Sequence, residues 1–123
     1  MSNQEIRQTD WREFFDEFSR SHERWLATVE VFGALGAQTV AEELPLVGIV
    51  ADEPSHGGAV AIVLGEGDQS VTHTIARPSK IEVDRPAPGA DAAIEIESRD
   101  GEKTLVRFRS VPEPAAVGDL ARE

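Results

Sequence analysis

Apolar positions in this chain follow two periods, one helical and one extended. Trp11, Phe14, Phe15 and Phe18, then Trp25 and Leu26, recur at i, i+3, i+4, i+7, i+14 and i+15. That is one stripe of an amphipathic helix, predicted over Asp10–Arg24. Asp10 with Glu13 has the spacing of a capping box, and Arg12–Asp16 and Asp16–Arg20 fall at i,i+4 on the polar face. The stripe is expected to pack on the protein's own sheet, because helices of this length owe most of their stability to tertiary contacts. Met1–Gln8 has no such period and is expected to be frayed.

Beyond the helix the period falls to two. Ala27, Val29 and Val31 alternate with Thr28, Glu30 and Phe32, predicting a half-buried strand over Leu26–Phe32 that Gly33-Ala34-Leu35-Gly36 breaks. Gln38–Glu43 fits an irregular strand or one helical turn. Leu44–Val83 then carries most of the core as a bent meander. Its strands are Leu46–Ala51 (with Gly48 as a bend), Ala59–Leu64 (apolar on both faces, so central) and Val71–Arg77. Pro78 is expected to stop the last of these, and Ile81 and Val83 give one more short strand. A hairpin follows. A three-residue loop, Arg99-Asp100-Gly101, sets Ala92, Ile94 and Ile96 opposite Phe108, Val106 and Thr104, and Glu97 opposite Lys103. A two-residue loop would set Ile94 against Arg107. Hydrophobic matching therefore selects the type I turn with a glycine bulge at Gly101.

These elements predict a mainly β (α+β) chain. An N-terminal amphipathic helix precedes a small, strongly bent antiparallel β-barrel of the Sm/SH3 kind, with an appended C-terminal β-hairpin. Residues 9–110 form one domain, 1–8 a disordered N-terminus, and 111–123, with two prolines and no period, a disordered tail.

The charge narrows the partners. The formal net charge is −11, and no Lys or Arg occurs from Trp25 to Ala76. Such a surface repels phosphate backbones, so nucleic acid is an unfavourable partner. The absence of cysteine excludes disulfides and thiolate chemistry. A polar N-terminus and the lack of an apolar run of ~18 residues exclude a signal peptide and a membrane helix, making the cytoplasm the expected location.

Few residue groups carry chemistry. Asp52, Glu53 and His56 place two carboxylates and an imidazole in the turn DEPSHGG, a candidate for weak divalent-metal binding. His73 shares a strand face with Val71 and Ile75. With Arg77 and Lys80 it forms the candidate ligand-binding group, although the usual behaviour of buried residues favours a satisfied barrel-lining or interface histidine. No spacing supplies a nucleophile–base pair, a carboxylate cleft or a phosphate cradle, so no catalytic residue and no cofactor are expected.

Two resemblances follow from these residues. WREFFDEFSRSHERWLATVEVFG, LPLVGI, HTIARPSKIEV and ESRDGEKTLVRF resemble an uncharacterised prokaryotic family of small acidic proteins, domain-of-unknown-function family 5335, over Trp11–Phe108. That resemblance implies no activity, cofactor or catalytic residue. The element order over Asp10–Val83, with His73-x-Ile75, is similar to the Sm-like small barrel. Sm-like proteins bind RNA through basic and aromatic residues that Trp25–Ala76 lacks.

The sequence thus points to a non-enzymatic binding or assembly module acting on a protein partner or on itself through strand edges. The alternatives are an Sm-like nucleic-acid binder and a small metal- or ligand-binding protein or enzyme centred on His56 or His73.

Overall fold

A computed structural model describes residues 3–53, 58–84 and 92–110. The chain runs through β1 (Asn3–Glu5), a 3-10 turn (Gln8–Asp10), α1 (Trp11–Ser21), β2 (Leu26–Gly33), β3 (Gly36–Ala51), β4 (Val60–Glu66), β5 (Gln69–Ile75), β6 (Pro78–Asp84), β7 (Ala93–Ser98) and β8 (Lys103–Arg109). The strands form one antiparallel sheet in the order β1-β6-β7-β8-β2-β3-β4-β5. It is mostly β with one short helix, and the sheet is not closed.

Pattern and structure agree for the first part of the predicted helix, where Trp11, Phe15 and Phe18 of α1 are buried. α1 ends at Ser21, however, so Trp25 and Leu26 of the stripe lie outside it and Leu26 begins β2. Phe15 and Phe18 share the core with Val29, Leu46, Ile49 and Phe108. The capping box is not formed. Asp10 makes no capping hydrogen bond and instead lies 3.8 Å from Arg7, while Arg12 reaches Glu53 rather than Asp16.

The frayed N-terminus requires correction over Asn3–Gln8. β1 has no apolar residue, yet it pairs with β6, and the next residue anchors it. Ile6 is buried, its N–H donates to the Ile81 carbonyl at 2.8 Å, and its own carbonyl accepts the buried Trp11 indole N–H at 2.9 Å.

Gln38–Glu43 is strand, continuous with Leu46–Ala51 in a β3 of 16 residues. β3 pairs with β2 over its first part and with β4 over its last. The bend between them is a register slip at Leu46/Gly48, which leaves Val47 and Val50 outward while Leu46 and Ile49 turn inward. Where β3 leaves β2, α1 takes over the exposed edge: the Ile49 N–H donates to Ser19 Oγ at 2.9 Å, and that hydroxyl donates back to the Ile49 carbonyl at 3.3 Å. Ser19→Ala leaves both backbone groups without this partner. We expect a loss of about 1–2 kcal/mol in urea unfolding, with faster exchange of the Ile49 amide hydrogen.

Pro78 begins β6 rather than ending β5. A strand's first residue is one place where a missing N–H is tolerated. The hairpin has the expected register: Ile94 pairs with Val106, Ile96 with Thr104 and Glu97 with Lys103, and Gly101 has φ +93°. Its position differs from expectation, since it is not appended. A five-strand barrel built on β2–β6 would close by pairing β6 with β2; here β7 and β8 stand between them. The 111–123 tail lies outside the described residues.

Candidate functional site

The three ligand-binding candidates do not converge. His73, on β5, faces Ile62 of β4 and is half-buried. Burial lowers its pKa below the usual histidine value, partly offset by the charge of Glu102 on the β7–β8 turn. Arg77 is at the corner between β5 and β6, where its carbonyl accepts the Arg99 N–H at 2.9 Å. Its surroundings form a cavity with Thr74, Ser98 and Asp100, which His73 and Lys80 do not line. Lys80 is exposed on β6 and lies 3.4 Å from Glu82, whose charge raises its pKa.

Of the metal candidates, Asp52 and Glu53 follow β3. The Asp52 N–H donates to the Ala59 carbonyl, and the Glu53 carboxylate accepts from Arg12. His56 lies outside the described residues. Among the described residues, no group of three His, Asp or Glu side chains could hold a metal ion. His22 is structural: its ring stacks on Phe18 at 3.8 Å and meets Trp25 edge-on at 4.4 Å.

Two other places have more definite form. The first is β5 itself. Among the described residues it pairs only with β4, so one side of the strand ends the sheet. Thr72 and Thr74 are exposed, and Gln69–Ile75 contains no Asp, Glu, Lys or Arg.

The second is a cavity of about 440 Å³ on the outer face of the sheet, lined by Thr28 and Glu30 of β2, Glu43 of β3, Asp84 of β6, and Arg107 and Arg109 of β8, among others. Its geometry begins with a bulge. Ala27 pairs with Leu44 and Val29 with Ala41, so Glu42 and Glu43 stand opposite the single residue Thr28. Glu43 takes φ +52°, a left-handed conformation uncommon for a residue with a side chain, and its N–H donates to Thr28 Oγ1 at 3.1 Å. The bulge aims the Glu43 carboxylate at Arg109, 2.6 Å away. One row along, Glu30 meets Arg107 at 2.9 Å. Sequence reasoning missed this group because its members come from β2, β3, β6 and β8. The adjacent Glu42-Glu43 is its only local mark.

A model described as "Family of unknown function (DUF5335)" matches residues 2–117 of this sequence. The chain belongs to that family. No curated protein and no solved structure matches this DUF5335 chain. Among the described residues, no helix of this DUF5335 member is long and apolar enough to cross a membrane.

Proposed function

We propose that this protein is a non-enzymatic assembly module that associates with a second copy of itself through β5. The observation that carries the reading is the contrast between the sheet's edges. β1, at one end, is only three residues long and contains Glu5, a blunted edge. The open side of β3 is capped by Ser19. β5, at the other end, is seven residues of bulge-free strand with no formal charge.

Charge selects the partner. Two copies at net charge −11 repel over most of their surface. They can approach where the facing strand itself carries no carboxylate, and Gln69–Ile75 is such a stretch, with the His73 pKa lowered by burial. Antiparallel pairing of β5 with its copy is self-complementary, as a two-fold interface requires. Val63, on the outer face beside the exposed Thr72, and Val50, one strand further in across Ala61, supply apolar area near that edge.

The element order over Asp10–Val83 supports a finer reading, in which β2–β6 is a small Sm-like barrel opened by the inserted hairpin. The cation-free span from Trp25 to Ala76 weighs against an RNA role for it.

Light scattering on a sizing column tests the association. The wild-type chain is expected to run as a dimer, and Thr72→Lys, which puts a charge on the exposed edge, as a monomer. A wild-type monomer at high protein concentration, or a T72K dimer as stable as wild type, overturns the proposal.

A further inference from the structure

We propose that the outer-face cavity binds a small peptide-like zwitterion, its ammonium end at Asp84 and its carboxylate end at Arg107 and Arg109. The strand register sets the charges apart. Asp84 pairs with Ala93, Ala93 with Arg107, and Arg107 with Thr28, giving one row across β6, β7, β8 and β2. With strands ~4.8 Å apart, the Asp84 and Arg107 backbones are roughly 10 Å from each other. Between them stands Ala93, whose methyl group leaves the floor of the cavity open.

The guanidinium groups do not cross that gap. Arg107 is held by Glu30 of β2 and Arg109 by Glu43 of β3, both on the side away from β6. Among the described residues, neither arginine nor any other cation pairs with Asp84. Its Oδ1 is shut off from water and has no hydrogen-bond partner, the single side-chain atom of this kind among the described residues. A buried carboxylate oxygen without a donor is costly. The terminal torsion of aspartate is broad, so a modest rotation presents that oxygen to the cavity.

The opposite wall retains donors. The ion pairs engage Nη2 of Arg107 and of Arg109, and a guanidinium has five N–H groups. A simple cation in this cavity meets two arginines. A simple anion meets Asp84, Glu42 and Glu43. A molecule with both charges at its two ends satisfies both walls, and the volume lies within the ~300–1,000 Å³ range of small-molecule sites.

The test is an amide NMR titration of the full chain with glycylglycine, beside glycylglycine amide, which lacks the carboxylate, and N-acetylglycine, which lacks the ammonium. Saturable shifts at Asp84, Ala93 and Arg107 are expected with glycylglycine, at least ~10-fold tighter than with either analogue. Asp84→Asn is expected to weaken binding about 10-fold. Ala93→Leu, which fills the floor without changing a charge, is expected to remove the saturable shifts, and the spectrum of each variant reports its fold directly. No saturable shift with glycylglycine, equal binding by a singly charged analogue, or full binding by D84N or A93L overturns the proposal.

Discussion

Gly65→Ala is expected to destabilise the protein by about 3 kcal/mol or more, read as a lower urea midpoint at unchanged slope. Two costs coincide at this position. Gly65 has φ +104°, outside the range that residues with a side chain normally adopt. A Cβ there would also fall 1.8 Å from the Gln69 carbonyl oxygen and 2.9 Å from the Ser70 Cα. Both atoms are backbone of the facing strand, so relief requires moving the β4–β5 hairpin itself. Gly101→Ala is the internal comparison. Its φ is +93°, but nothing lies within 4 Å of the added atom. That substitution meets the conformational cost alone, about 1–2 kcal/mol. Equal losses at the two sites would show that the close approach at Gly65 contributes nothing.

Phe15→Ala is expected to cost about 3–5 kcal/mol, the range for removing a buried aromatic ring. Phe15 has 0% exposure and meets Phe14 edge-on, with ring centroids 5.1 Å apart. α1 has only 11 residues, too few to be stable apart from the sheet. Loosening its docking also withdraws Ser19 from Ile49, so amide exchange at Ile49 is expected to quicken alongside the fall in stability. Phe15→Leu retains most of the volume and is expected to cost under about 1.5 kcal/mol. If F15A and F15L unfold at the same urea concentration, the ring does not hold the helix.

What could be read from the sequence was what neighbouring residues decide among themselves. The β7–β8 register was legible because only one loop length sets Ile94 against Val106 and Ile96 against Thr104. The stripe of Trp11, Phe15 and Phe18 was legible because helical spacing and burial coincide. β1 was not, since its three exposed residues are placed by backbone pairing with Val83 and its neighbours and by the anchoring of Ile6. The unity of β3 was hidden by its own irregularity. The bulge at Glu42–Glu43, a second shift at Val40 and the slip at Leu46/Gly48 interrupt the alternation three times within one strand. The cavity was hidden for a different reason. Thr28, Asp84 and Arg107 become neighbours only through the sheet order, and a two-residue period along one strand contains nothing about which strand lies beside it.

The insertion of β7–β8 between β6 and β2 also has a kinetic consequence. Leu26 pairs with Arg109, 83 residues further along the chain (109 − 26). β2 through β5 can zip up by successive hairpins as each emerges. The free side of β2 must wait for the last strand, whose capture carries the loop-closure entropy of nearly the whole domain. During synthesis the nascent chain therefore exposes the β2 ladder, with Ala27, Val29 and Val31 on its apolar face, until β8 arrives. That unfinished edge is the species most prone to pair with the wrong chain.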